Sequence, residues 1–227
     1  MTAPMIVRTV FLVSLAQIGV PLLGWGLDDP RGFFVDPARA LYCIVAFVGA
    51  IAAIFLGPRV PAGGMSKGDE SKLVRRQSVA LLATRVLVVG ALLGMPYLDR
   101  HGIAVIEVDW LRYVGVALLA AGSALMYWST WVLGKQFSVE VTIQEDHELV
   151  TSGPYSRIRH PRYLGLLVFA LGMALLFRSW AGLGALGLLA LIILTRVVDE
   201  DRLLHREFGE QWESYRERSW KLLPPVY

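Results

Sequence analysis

Residues Tyr163–Phe177 read YLGLLVFALGMALLF; Arg178-Ser179 follows, and then Trp180–Val198, WAGLGALGLLALIILTRVV. Two apolar runs joined by only two residues predict a tight helical hairpin. A bilayer core of about 30 Å takes about 20 mostly apolar helical residues. The second arm meets that length and the first is short. Four further runs precede them: Ile6–Leu27, Ala40–Leu56, Val79–Leu98 and Leu111–Leu133. The chain has 227 residues, 55% hydrophobic and 18% charged, with a mean hydropathy of +0.52. A soluble domain averages about 45–50% apolar and about 25% charged. This excess excludes a disordered chain, a coiled coil and an ordinary soluble domain. The fold class is all-α: a polytopic transmembrane helical bundle of about six spans, ending in the hairpin and a cytoplasmic amphipathic helix.

Charge placement orients the bundle. Fifteen Lys and Arg fall on one side of the spans and five on the other, Arg31, Arg39, Arg100, Arg112 and Arg178. The basic side is cytoplasmic, which puts both termini there. The net charge of +3 is therefore read as topology, and no nucleic-acid partner is expected. Localisation is expected to be multi-pass in a bacterial inner membrane or endoplasmic-reticulum type of bilayer. The first span lacks a small-residue cleavage site before Asp28-Asp29-Pro30 and is read as a retained helix. One cysteine, Cys43, excludes an intrachain disulfide and reads as a buried thiol. Pro58–Gln77 reads as a cytoplasmic linker. Gly90-x-x-x-Gly94 suits close helix packing.

Polar residues concentrate in two cytoplasmic pieces. Gly134–Arg162 is a long loop, alternating and β-branched over Phe137–Ile143 and broken at Gly153-Pro154. A loop of that length is uncommon unless functional. Asp199–Trp220 reads as an amphipathic helix continuing the last span, with Leu204, Phe208, Trp212 and Tyr215 on one stripe. The chain accordingly divides into a four-span membrane region, 1–133, and a catalytic region, 134–227. The hairpin brings Arg159, His160 and Tyr163 beside Arg196 and Glu200, which share a helix face at i, i+4. Ionisable groups at the edge of hydrocarbon are costly, so either a structural salt bridge or a functional site is expected there.

Other chemistries find no support. Gly182, Gly184 and Gly187 match G-x-G-x-x-G, but they open a membrane helix and lack the preceding strand of a dinucleotide fold. Close packing explains them better. His101, His147, His160 and His205 show no two-ligand metal spacing, and neither a nucleophile elbow nor a P-loop is present.

The string His147-Glu-Leu-Val-Thr-Ser-Gly-Pro-Tyr155, then Arg159-His-Pro-Arg-Tyr-Leu-Gly165, is distinctive. After the hairpin come Arg196, Glu200-Asp201, Leu204, Phe208-Gly209, Tyr215 and Leu223-Pro224. Together these resemble the isoprenylcysteine carboxyl methyltransferase family, integral-membrane methyltransferases related to the phospholipid N-methyltransferases. The resemblance covers about Gly134–Pro224. It implies an enzyme dependent on S-adenosylmethionine, with a cytoplasm-facing cofactor pocket made by the loop and the last helices. It implies that His147, Glu148, Leu149, Val150, Tyr155, His160, Pro161, Arg162 and Tyr163 line that pocket. Glu200 would hold the cofactor's cationic groups, and Arg196 would face the substrate; these two are the expected catalytic residues. Arg159 is a further candidate, able to pair with the cofactor's carboxylate or an acidic substrate. The family has Glu-Glu where this chain has Glu200-Asp201, a shorter second acid.

A site at the membrane surface admits a lipophilic or small acceptor from the bilayer and a soluble cofactor from the cytoplasm. The acceptor atom is a carboxylate, an amine or a thiol, which leaves a phospholipid N-methyltransferase or a small-thiol S-methyltransferase as alternatives. Outside enzymes, the alternative is a transporter or scaffold. That class should carry mid-bilayer ionisable groups in several spans, and only Arg85 qualifies. Residue patterns leave the oligomeric state open.

Overall fold

The computed structural model describes residues 13–56, 71–134 and 149–224. Those residues are helical with two isolated β-bridges and no strand. Helix α1 (Leu15–Trp25) begins with a π-helical turn, α2 (Pro30–Val35) is a short cap, and α3 (Pro37–Leu56) and α4 (Ser71–Arg100) follow. Then come α5 (Leu111–Leu133), α6 (Pro161–Leu176), α7 (Trp180–Phe208) and α8 (Glu210–Glu217). Among the described residues Val79–Arg100, α5 and α7 are long and apolar enough to cross a membrane, while α1, α3 and α6 are shorter apolar helices. Large apolar side chains such as Leu82, Val86, Leu188 and Leu191 stand exposed, as a lipid-facing surface requires.

Close packing of α5 on α6 is set by glycines facing each other. A Cβ on Gly122 would lie 2.6 Å from the Gly165 carbonyl oxygen, and one on Gly172 would lie 2.7 Å from that of Gly115. Small residues let helix backbones approach where lipid supplies no hydrophobic drive. The sequence motif expected to do this does not: a Cβ added to Gly90 or Gly94 would meet nothing within 4 Å, and the same holds for Gly184 and Gly187. Gly182 alone of these is packed, against Met95 and Ala174.

The end of the bundle holding the α6–α7 turn is tied by a buried ionic knot. Asp99 at the end of α4 has a fully buried side chain. It accepts hydrogen bonds from Arg39 of α3 (3.0 Å), Arg112 of α5 (2.7 and 2.8 Å) and Arg178 in the turn (3.3 Å). Arg112 also lies 3.2 Å from Asp36 and donates to the Leu176 carbonyl. Arg39 donates to the Phe33 and Gly32 carbonyls and stacks over Trp25 at 4.3 Å. Arg178 takes a left-handed φ of 46°, unfavourable for a side chain of that size. Its ion pairs with Asp99 and Asp109 hold it there. Four of the five arginines read as minority-side topology markers are thus ion-paired, Arg100 with Asp28 at 2.5 Å.

The helix of the last span continues past Val198, as its sequence predicts. Helix α7 continues to Phe208 and stops at Gly209, whose φ of 49° suits glycine. The expected single amphipathic helix is therefore two. Helix α8 folds back at the break, burying Trp212 and Tyr215 within the protein and placing His205 Nε2 2.8 Å from Glu213.

Candidate functional site

At the opposite end from the knot, the hairpin topology sets the start of α6 against the last turns of α7. Pro161 occupies the first turn of α6, where its missing N–H costs nothing. The chain just before it is clamped by the C-terminal segment. Trp220 N donates to the Arg157 carbonyl, Arg159 N to that of Trp220 and His160 N to that of Lys221, at 2.8, 2.8 and 3.2 Å. His160 is buried. Its Nε2 lies 2.7 Å from Asp201 Oδ1 and its Nδ1 3.7 Å from Glu200 Oε2. One imidazole therefore reaches both neighbouring acids of α7. The Tyr163 ring lies 5.8 Å from that of His160 on one side and 5.9 Å from the Arg196 guanidinium carbon on another.

Tyr155 completes the cluster from the short 3₁₀ turn Gly153–Ser156. Gly153, with φ 58°, brings this turn against Val132 and Trp128 at the end of α5. Tyr155 is buried, and its carbonyl accepts a hydrogen bond from the Tyr215 hydroxyl at 2.6 Å. Burial holds the Tyr155 phenol well above its ordinary value; the Glu200 carboxylate pushes it further up, and Arg162 opposes. Burial likewise raises the Tyr215 phenol. Both stay protonated, one as a neutral ring within reach of Glu200 and the other as a donor. Glu200 is about one-third exposed. Its Oε2 is nonetheless enclosed and accepts no hydrogen bond from any described residue. A buried carboxylate oxygen left without a donor is a costly arrangement, and it suits a site for a cation.

The residues singled out from sequence divide by place. Tyr155, His160, Tyr163, Arg196 and Glu200 lie in one cluster. Pro161 is buried beneath it, and Arg162 lies within electrostatic reach of Tyr155. Leu149 and Val150 are half-buried in the loop that enters the 3₁₀ turn. His147 and Glu148 lie outside the described residues, as does the alternating stretch Phe137–Ile143. Arg159 turns to the C-terminal segment instead: its guanidinium donates to the Arg216 and Ser219 carbonyls. Two residues carry a part that sequence spacing did not assign. Asp201, the shorter acid, still reaches His160, and Tyr215 fastens the Tyr155 turn. The i, i+4 rule that paired Arg196 with Glu200 carries no signal for either.

Comparison with known proteins gives this geometry a class. Residues 110–211 match the family model described as phospholipid methyltransferase. The chain is 24% identical over 160 residues to protein-S-isoprenylcysteine O-methyltransferase B of Arabidopsis thaliana, covering 68% of this chain and 78% of that protein. It is 26% identical over 121 residues to a probable protein-S-isoprenylcysteine O-methyltransferase of Oryza sativa subsp. indica, spanning 52% of this chain and 63% of the relative. The fold is similar to that of a eukaryotic intramembrane Ras methyltransferase, an isoprenylcysteine carboxyl methyltransferase. The TM-score is 0.57 at 17% identity, covering 98% of this chain and 83% of the other. The protein is an integral-membrane methyltransferase, an enzyme that takes its methyl group from a donor. Residues 110–211 resemble the phospholipid methyltransferases, and the longer alignments are with the isoprenylcysteine O-methyltransferases. The family match begins at residue 110 and so takes in α5, one helix beyond the Gly134–Pro224 motif blocks.

Proposed function

We propose that the protein transfers a methyl group from S-adenosylmethionine to a carboxylate on a lipophilic acceptor, at the cytoplasmic face of the membrane. The observation that carries this reading is the convergence of His160, Tyr163 and Arg196 on Glu200, whose enclosed Oε2 accepts no hydrogen bond from the described residues. Bound S-adenosylmethionine would supply an electrophilic methyl on a cationic sulfur. The residues present fit such a ligand. The Glu200 carboxylate suits its ammonium group, and the Tyr163 and Tyr155 rings offer faces to adenine or to a sulfonium. Asp201 holds the His160 ring in place, which keeps it from collapsing onto Glu200. Leu149, Val150 and Arg162 would border the same pocket, with His147 and Glu148 brought in by the loop.

Tyr163 packs against the apolar cluster of Leu189, Ile193 and Val197 with Leu166 and Leu167, and the Arg196 guanidinium lies 5.9 Å over the Tyr163 ring. An acceptor arriving from the bilayer meets it first, and a guanidinium there pairs with a carboxylate. A carboxylate attacks as an anion and leaves as a neutral ester, so no general base is required. What the protein must supply is position and charge control. The relatives' names, which specify O-methylation of an isoprenylcysteine, favour this acceptor class. The phospholipid methyltransferase family model favours an amine acceptor instead, the second reading.

The deciding experiment incubates the purified full chain with methyl-labelled S-adenosylmethionine, prenylcysteine analogues and a native lipid extract, and identifies products by mass spectrometry. A base-labile methyl ester is expected. Label found only on an amine would move the protein to the second reading, and no label on any component would remove the enzyme reading itself.

A further inference from the structure

The face of α7 turned away from Arg196 and Glu200 carries another polar site. Val198, Asp201, Arg202 and His205 succeed each other at helical spacing on that side, and α8, folded back at Gly209, closes a notch of about 390 Å³ against them. Four permanent cations line it, Arg159, Arg202, Arg216 and Lys221, facing two carboxylates, Asp201 and Glu213. Each carboxylate pairs with a cation of the notch as well as with a histidine: Lys221 lies 3.5 Å from Asp201 and Arg216 3.6 Å from Glu213, while Arg202 is 3.9 Å from Asp199. Asp201 is engaged by His160 at 2.7 Å and Glu213 by His205 at 2.8 Å. The balance inside the notch favours an anion.

Its depth is marked by its neighbours. Val198 ends the apolar run of α7, and the exposed Trp220 and Leu223 flank the notch on the C-terminal segment. Trp128 and Trp131 stand exposed at the same end of α5. Tryptophan on a lipid-facing surface sits at the headgroup layer, so the notch opens where lipid phosphates lie. We propose that it binds the phosphate of an anionic phospholipid headgroup. A zwitterionic lipid gains less, because its own ammonium meets the same cations, whereas basic pockets at headgroup depth select anionic lipid.

The test places the full chain in phosphatidylcholine vesicles carrying trace spin-labelled phosphatidylglycerol or spin-labelled phosphatidylcholine, and compares the motionally restricted fractions. The wild type is expected to restrict phosphatidylglycerol preferentially. Arg202→Gln with Arg216→Gln should lower that preference by about fivefold for each cation removed. Both side chains are more than half exposed, so the variant should fold and melt as the wild type does. Arg31→Gln, an exposed arginine at the other end of the bundle, should leave the preference unchanged. An absent preference, a double variant that keeps it, or an equal loss in Arg31→Gln would overturn the proposal. Inorganic phosphate that abolishes the preference, where chloride at matched ionic strength does not, would assign the notch to a soluble anion and overturn the lipid assignment.

Discussion

Replacing Asp99 with asparagine should loosen the whole bundle while leaving the distant site's chemistry intact. Asn keeps the shape of Asp99 but removes the charge that Arg39, Arg112 and Arg178 share. Arg39 and Arg112 are 8% and 6% exposed and cannot turn to water without unpacking α3 from α5. Leaving a buried charge without its partner costs about 3–5 kcal/mol. Asp36 remains 3.2 Å from Arg112 and the Asn carbonyl still accepts one bond, so the low end, about 3 kcal/mol, is expected. For a chain of this size each kcal/mol moves the melting temperature by about 2–4 °C, which gives a drop of about 6–12 °C. The assay is thermal unfolding of detergent-solubilised protein followed by tryptophan fluorescence, with cofactor affinity measured well below the transition. The twenty residues of α7 between Trp180 and Glu200 put about 30 Å between knot and site, so affinity should be unchanged. Replacing Arg39, Asp99 and Arg112 together with Met, Leu and Met should recover much of the loss, since a well-packed apolar substitute needs no desolvation. An Asp99→Asn protein that melts with the wild type would refute the reasoning, because it would mean that the three arginines do not depend on that charge.

Three further outcomes are expected. Gly122→Leu should destabilise the protein severely, since its Cβ meets the backbone of Gly165 and Phe169; Gly90→Ala and Gly94→Ala, with open space around them, should leave the melting temperature within error. Tyr215→Phe removes the hydroxyl that donates to the Tyr155 carbonyl and should cost about 1–3 kcal/mol by leaving a buried acceptor unsatisfied, read from the same melts. Arg196→Ala should lower turnover by about ten-fold or more, a loss of about 1.4 kcal/mol or above in transition-state binding, with cofactor affinity unchanged in calorimetry. Loss of cofactor affinity instead would put Arg196 on the wrong ligand.

Helix existence was legible because it follows from runs of apolar residues. Leu111–Leu133 matches α5 end to end, and the tight turn at Arg178-Ser179 appears one residue longer than read, because α6 ends at Leu176 and leaves Phe177 in the turn. Contacts between helices were not legible, because they depend on which faces meet. Gly90-x-x-x-Gly94 has the right spacing on a face with no neighbour, while the packing glycines, seven apart in α5 and α6, fit no short motif. Arg39, Arg112 and Arg178 lie 60, 13 and 79 residues from Asp99 on other elements, and a count of positive charges could not reveal their partner. The site fares similarly: Glu200 and Arg196 come from helical spacing and His160 from the hairpin. Asp201's grip on His160 required the relative rotation of two helices. The stripe from Leu204 to Tyr215 was periodic in sequence, but one left-handed glycine divides it.

The central claim is that one bound methyl donor is held by Glu200 beside His160. Isothermal titration of S-adenosylmethionine into the purified protein and into Glu200→Gln measures it most directly. The account predicts a micromolar dissociation constant, an order of magnitude taken from about 1 μM–1 mM for typical KM values, for the wild type. For the variant it predicts loss of binding with an unchanged melting temperature. A Glu200→Gln protein that binds as tightly as the wild type would contradict it.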